Sequence, residues 1–580
     1  MKILLAKSSG FCMGVRRAVE LVLDTSIEQA GPIYTFGPLI HNPQVLKVLE
    51  EKGIRILNEI PEHGSGTVLI RAHGVPPDIK TRLKEAGFDI FDATCPRVIK
   101  IQSIIKKYAK KDYAIIILGD QNHPEVVGLL GYANGKGHVI GDTAQLESLP
   151  GFEKAIIVAQ TTQNTQSFED LQKWVQRHHP HYKIFETICD STEKRQADIK
   201  KLSHSVDAVL VVGGHNSGNT RRLAEIAKES GKPVYHIESE DDFDGLDLDK
   251  LADAPYIGIT AGASTPNWII KKVYRALEQL PYRQKRGWRL FLFGIQRRLL
   301  LTNIYVSLGA GCLSYACARL LGISEYWPYI AISILYVQSM HLLNHLTGTK
   351  ADRYNDPDRA VFYEKNRLTL SLIAVIAGSA GLLTAVTLGT LPFFLLLGMS
   401  ITGMSYNLRL LPESAVLKVK YRRIRDIPGS KTILISIAWG VLAAILPPLA
   451  VYGKITWVNI LLFGWFAGLV FVRTAFFDIL DMQGDRLIGK ETIAIILGEK
   501  RMMRTLEVIL VALIVMLPLA SAFQWVSPLG FGLTVCPIFM LAIFGIYKKR
   551  YLLPGIRLEF LVETLFILAG IITVIWPAII

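Results

Sequence analysis

Over the first 280 positions, apolar residues come in short unbroken runs at 3–6, 67–70, 113–118, 155–159, 207–212 and 255–260, each bounded by turn formers. Runs of this length predict strands buried on both faces, and the helical stretches between them predict parallel pairing through crossovers. The expectation is an α/β fold of three similar lobes. Beyond position 298 the pattern changes. Apolar stretches at about 299–322, 326–346, 368–388, 390–408, 432–452, 456–477, 505–524, 527–546 and 558–579 each approach the ~20 residues that span a bilayer. They predict an all-α bundle of nine transmembrane helices.

Charge divides the chain at the same place. Residues 1–280 hold 34 Lys and Arg against 35 Asp and Glu, whereas 281–580 hold 30 against 15. The net charge of +14 therefore belongs to the second half and calls for no nucleic acid. Segments 281–298, 347–367, 409–431, 478–504 and 547–557 would share one side of the membrane, and they hold 6, 5, 7, 5 and 4 basic residues. The opposite loops hold Lys454, with Arg319 nearby. This bias predicts a cytoplasmic first half and a last helix that ends outside, in the cell inner membrane. The expected division is an α/β domain over 1–280, a basic linker over 281–298 and a membrane domain over 299–580. The first apolar run is too short for a signal peptide, so the first half belongs in a reducing compartment, where cysteines serve metal or redox chemistry.

Three cysteines stand in that half, Cys12, Cys95 and Cys189, each before a predicted helix. A helix N-terminus favours a thiolate. Three thiolates brought together would hold a soft metal and leave one position open. Separations of 83 and 94 residues match no short metal motif, so three unrelated core cysteines remain an equal reading of spacing alone. Polar groups follow the strand ends, where open α/β sheets place ligands. They are His41-Asn42-Pro43, Arg71-Ala72-His73-Gly74, Asp120 to Glu125 with His123 among them, Gln160-Thr161-Thr162, Gly213 to Thr220, and Thr260 to Thr265. Histidines, hydroxyls and exposed backbone N–H groups together suit a phosphate or diphosphate.

These segments, in this order, resemble the hydroxymethylbutenyl diphosphate reductases, the IspH/LytB family, across essentially all of 1–280. The resemblance implies a trefoil of three lobes around one [4Fe-4S] cluster on Cys12, Cys95 and Cys189. It implies a small allylic diphosphate substrate, held by His41, His73, His123, Ser217, Asn219 and Ser264. Gly218 stands where the family often has serine and would offer backbone N–H instead. Glu125 would supply the proton and Thr161 would help relay it. An electron donor such as ferredoxin or flavodoxin is implied as well.

In the membrane half, Asp478, Asp481 and Asp485 are spaced to share one helical face at the end of the sixth apolar stretch. Three carboxylates there would repel unless a divalent cation joined them, and Mg²⁺ bridging carboxylates to a diphosphate does so. The stretches and this motif resemble the UbiA-type intramembrane prenyltransferases over roughly 300–580. Asp426 to Lys431 resembles the family's basic loop. In the first acidic motif Asn344 and Asp352 match, while His345 and Gly348 replace acids. The resemblance implies Mg²⁺, the lipid bilayer, a prenyl diphosphate and a lipid-soluble acceptor. One alternative makes the membrane half a non-catalytic anchor or lipid-binding module. Another makes the first half a zinc protein without redox chemistry.

Overall fold

The computed structural model describes residues 2–29, 31–284, 288–347, 355–406, 424, 427–487, 492–548 and 555–578. The chain separates into two compact units, Met1–Gln284 and Lys285–Ile580. The expected linker is helical on both sides of 285–287, within helices Asn267–Gln284 and Trp288–Leu301.

The first unit holds twelve strands: β1 Lys2–Leu5, β2 Ile33–Phe36, β3 Ile54–Leu57, β4 Thr67–Ile70, β5 Asp89–Asp92, β6 Ala114–Leu118, β7 Gly137–Ile140, β8 Ala155–Ala159, β9 Lys183–Ile184, β10 Ala208–Val212, β11 Val234–Ile237 and β12 Tyr256–Ala261. They form three parallel sheets of four, ordered β3-β2-β4-β5, β7-β6-β8-β9 and β11-β10-β12-β1. Each lobe therefore runs second, first, third, fourth. The third lobe borrows the N-terminal strand as its fourth member, so the chain closes on itself. Strands β4, β8 and β10 are buried along their whole length, because crossover helices cover both faces of a parallel sheet. Helices start on capping side chains: Asn42 accepts from Val45 N–H at 3.0 Å, and Asn164 accepts from Gln166 and Ser167.

The second unit is helical. Six helices are long and apolar enough to cross a membrane: Arg367–Thr387, Ser430–Tyr452, Trp457–Met482, Glu499–Ala522, Leu529–Lys548 and Ile556–Ala578. The pair Phe291–Leu301 and Ile304–Leu320, bent by 73°, makes a seventh if it is one span. Against the expected nine stretches, Thr390–Ser405 is a shorter apolar helix. Helix Trp327–Thr347 carries Gln338, His341, Asn344 and His345, which lower its hydropathy. Trp465, Phe466, Phe476, Phe544 and Phe566 are fully buried at the centre of this unit, and the Trp465 indole donates to the Leu513 carbonyl at 2.9 Å. Membrane interiors demand such internal partners.

Candidate functional site

The threefold repeat of the first unit decides where its polar residues meet. In every lobe the chain leaves the C-terminal end of the first, third and fourth strands at the same end of the sheet. Five residues past the first strands β2, β6 and β10 stand His41, His123 and Ser217. Three past the third strands β4, β8 and β12 stand His73, Thr162 and Ser264. After the fourth strands β5, β9 and β1 come Cys95, Cys189 and Cys12, and each is the N-cap of the next helix.

The cysteines are anchored alike. Their backbone N–H groups donate to Ala72, Thr161 and Ala263, at 2.9, 3.0 and 3.1 Å for Cys95, Cys189 and Cys12. Each acceptor lies two residues past the third strand of its lobe. Arginines then tie each cysteine helix to the segment carrying the next. Arg17 donates to the Thr94 carbonyl at 3.0 Å, and Arg97 pairs with Asp190 at 2.5 Å. Buried Arg195 donates to the carbonyls of Gly10 at 2.6 Å and Ala261 at 2.9 Å. The sulfurs face a common centre, since a Cβ at Gly14 would lie 2.6 Å from Cys95 Sγ and 4.0 Å from Cys12 Sγ. Only glycine fits there. Burial, then the neighbouring sulfurs Cys12 and Cys189, hold the Cys95 thiol above its ordinary pKa despite two backbone hydrogen bonds. The helix-terminal advantage expected of this thiolate is therefore outweighed, and a cation at the centre would reverse the balance. Three sulfur donors converging without a fourth fit a metal centre with one open position.

The same cavity is lined by His41, His73, His123, Glu125, Thr161, Thr162, Ser217, Gly218, Asn219 and Ser264. All the residues expected of this site are brought together. Thr162, at the position of His73 and Ser264 in its own lobe, is an addition; only alignment of the three lobes would have singled it out. The imidazoles pack with ring centroids 4.8, 5.7 and 5.3 Å apart. His123 accepts from the Glu125 N–H through Nδ1 at 3.1 Å, so the neutral ring carries its proton on Nε2. Burial lowers all three pKa values. His41 is lowered further by Arg71 and Arg221, His73 falls well below the ordinary value with help from His41 and His123, and His123 drops to about 4. His41 Nε2, His73 Nδ1 and Asn219 Nδ2 are buried with no hydrogen-bond partner. A diphosphate brings the acceptors these groups lack, beside the start of helix Gly218–Lys228.

Glu125 is 1% exposed. Burial raises its pKa, opposed by Thr161, whose N–H and Oγ1 each donate to a different carboxylate oxygen at 2.7 Å. It is thus a carboxyl group held above the usual carboxylate range. Across the lobes Arg222 donates to both Asp120 oxygens at 3.1 and 3.2 Å, and Ser264 Oγ donates to the His41 carbonyl at 3.1 Å.

In the second unit, helix Trp457–Leu487 carries Asp478, Asp481 and Asp485. Asp478 is buried and accepts from Thr432 Oγ1. Asp485 is buried and accepts from Asn355 Nδ2 at 2.8 Å, which lies over the bare backbone of Gly484. Asp481 and Asn344 are half-buried. His345 Nε2 sits 3.3 Å from Arg359 Nη1. Asp352, Gly348 and Asp426 lie outside the described residues. Asn355, Thr432 and the buried ion pair Arg473–Glu563 were not anticipated: Asn355 is one of many polar residues in a connecting segment, and single polar residues inside apolar helices carry no periodic signal.

Residues 3–278 match the family model described as LytB protein, and residues 305–562 match that of the UbiA prenyltransferase family. The first half is 40% identical to 4-hydroxy-3-methylbut-2-enyl diphosphate reductase of Opitutus terrae over 292 residues, 48% of this chain and 100% of that one. It is 39% identical to the enzyme of the same name from Aquifex aeolicus, over 48% of this chain and 96% of that one. Among solved structures, the Plasmodium falciparum E-1-hydroxy-2-methyl-but-2-enyl-4-diphosphate reductase is 27% identical, with a TM-score of 0.46, over 51% of this chain and 98% of its own. A UbiA homologue from Aeropyrum pernix is 13% identical, with a TM-score of 0.39, over 47% and 98%.

Two outcomes follow from the geometry. Arg195→Met strips the Gly10 and Ala261 carbonyls of their partner and should cost roughly 2–4 kcal/mol, read as an earlier melting transition of the first unit. Binding of inorganic pyrophosphate should take up protons, because the free histidines are neutral at pH 7 and an anion raises their pKa values. Affinity contributed by His123 then falls as pH rises from about 4 toward the pKa of the bound form. Titration calorimetry in two buffers of different ionisation enthalpy measures the uptake, which should shrink in His123→Asn.

Proposed function

The chain belongs to the LytB family and carries a UbiA prenyltransferase family domain in its second half, and on that footing we propose that it joins two isoprenoid activities. The first unit reduces (E)-4-hydroxy-3-methylbut-2-enyl diphosphate to isopentenyl and dimethylallyl diphosphate. The second transfers prenyl groups within the membrane. The observation supporting the reductase is the convergence of three sulfurs, a neutral imidazole triad and a buried Glu125 on one cavity.

Cys12, Cys95 and Cys189 would hold one [4Fe-4S] cluster. When bound, it supplies two electrons and a Lewis-acidic iron for the substrate hydroxyl. The chain's own groups do the rest. His41, His73 and His123 donate N–H to the diphosphate, joined by Ser217, Ser264, Thr162, Asn219 and the backbone at Gly218. This pins the substrate with its hydroxyl toward the sulfurs. Thr161 orients Glu125, and Glu125 gives its proton to the departing hydroxyl oxygen, which leaves as water. Glu125 is itself buried, so the proton comes from a defined donor.

In the membrane unit, Asp478, Asp481 and Asp485 would hold Mg²⁺ with a prenyl diphosphate, joined by Asn344 and Asp352. The nine helical stretches would each cross the bilayer, with the reductase cytoplasmic and the C-terminus outside, in keeping with the basic loops. A reductase that makes five-carbon diphosphates produces the units from which prenyl donors are built. The anchor-only reading is not favoured, because carboxylates kept inside a membrane helix are costly without a function.

Glu125→Gln should keep absorbance near ~400 nm and lower anaerobic turnover by ~10²-fold or more. Cys95→Ser should lose iron; full iron content with activity would refute the ligand assignment. Asp481→Asn should abolish Mg²⁺-dependent formation of prenylated lipid from long-chain prenyl diphosphates, while leaving reduction by the same chain intact.

A further inference from the structure

Arg473 and Glu563 form an ion pair deep among the helices of the second unit, 7% and 2% exposed. Its geometry is lopsided. The guanidinium donates through Nε, at 3.0 Å, and through Nη2 to the same carboxylate oxygen, Oε1, and it stacks over the Phe477 ring. A fork to both oxygens would be the stronger pairing. Instead, Glu563 Oε2 is buried with no hydrogen-bond partner among the described residues. A second orphan belongs to the same neighbourhood. His341 Nε2 is likewise buried and unpartnered, and Arg473 acts electrostatically on this imidazole as well. The His341 ring packs edge-on against Trp439, which packs in turn against Phe566, one turn beyond Glu563. Four helices thus bring a bare carboxylate oxygen and a bare imidazole nitrogen together among buried aromatic rings. Polar atoms left unmatched inside a membrane helix bundle are costly and mark function.

Their depth is informative. Arg473 lies five residues before Asp478 on one helix, and His341 lies three before Asn344 on another. The orphans therefore sit roughly 4–8 Å further into the bundle than the candidate diphosphate groups. We infer that they recognise the acceptor of prenyl transfer, and that this acceptor is a neutral apolar molecule bearing a hydroxyl group and no carboxylate. This rests on the reading of the second unit as a prenyltransferase. An ionised carboxylate oxygen accepts hydrogen bonds and donates none, so Glu563 Oε2 requires an O–H, whose oxygen then accepts from His341 Nε2. A carboxylate in the hydroxyl's place would set like charge against Glu563, and a plain hydrocarbon would leave both atoms unmet. Arg473 is a positioning residue: it holds the carboxylate by one oxygen and cancels its charge, so the site offers no net attraction to an anion.

The test is equilibrium dialysis of the full chain in detergent micelles with Mg²⁺ at pH 7, against radiolabelled 1-naphthol, 1-naphthoic acid and naphthalene. Binding of geranyl diphosphate is measured alongside. 1-Naphthol should bind saturably, 1-naphthoic acid at least ~10-fold more weakly, and naphthalene only as it partitions into protein-free micelles. Glu563→Gln and His341→Leu should each weaken 1-naphthol about 10-fold, the loss of one buried hydrogen bond. His341→Gln, which keeps an N–H donor, should recover most of that affinity. Persistent Mg²⁺-dependent binding of geranyl diphosphate shows that a variant is folded; should Glu563→Gln unfold, the two His341 variants decide. Equal affinity of parent and variants for 1-naphthol would overturn the proposal, as would preference for 1-naphthoic acid or the lack of any saturable binding. If geranyl diphosphate does not bind the parent with Mg²⁺, the prenyltransferase reading itself fails and the acceptor site falls with it.

Discussion

One hydrogen bond, repeated three times, makes a shared centre out of separate sheets: the cysteine N–H to the carbonyl two residues past the third strand. Each sheet alone presents loops at the ends of its strands, as open parallel sheets do. The repeat gives every lobe the same loop heights, so one sulfur from each arrives at the same level. The arginines then close the ring, with Arg195 buried and bonded to two carbonyls that flank the path of Cys12. A buried guanidinium is stable only when its N–H groups are met, and those carbonyls would otherwise be orphaned. Packing of the lobes and placement of the sulfurs are the same event.

The cavity is divided by chemistry. Among the sulfurs, burial raises the pKa of the Cys95 thiol. The rest of the lining gathers imidazoles kept neutral by burial and by one another. Unpartnered donors such as His41 Nε2 and Asn219 Nδ2 are costly to bury, and the structure carries that cost where an anion relieves it. Glu125 lines the same cavity, its pKa raised by burial and its two oxygens fixed by Thr161. The membrane unit places its acids by different means. Asp478 and Asp485 are each matched to one neutral donor, Thr432 and Asn355, and helix Trp457–Leu487 sets their common face.

The amino-acid order alone disclosed the α/β and membrane halves, the positive-inside bias, and six of the twelve strands. Those six are the runs dominated by apolar residues. Five of them are buried over nearly their whole length, at β4, β6, β8, β10 and β12, because a strand covered on both faces must be apolar throughout. Five of the six missed strands, β3, β5, β7, β9 and β11, lie on sheet edges, where polar residues such as Arg55, Asp89, His138, Lys183 and His236 interrupt the pattern. The sixth, β2, is central but holds Thr35. The nine apolar stretches appear as six clear spans and one bent pair because Gln338, His341 and Asn344 dilute one helix and another is short.

The candidate chemistry was legible as residue types beside strand ends, for Cys12, Cys95, Cys189, the histidines, Glu125 and Ser264. What the order of residues could not carry is which of them meet. Positions 83 and 94 residues apart become neighbours only through packing of the three lobes, and Cys12 joins through the β1 closure of the third sheet, a long-range pairing with no local trace. The arginine ring stayed hidden for the same reason: the role of each arginine depends on the partner lobe it faces. Local pattern determines which segments are buried, whereas proximity between distant segments is decided by packing, and the site exists only at that level.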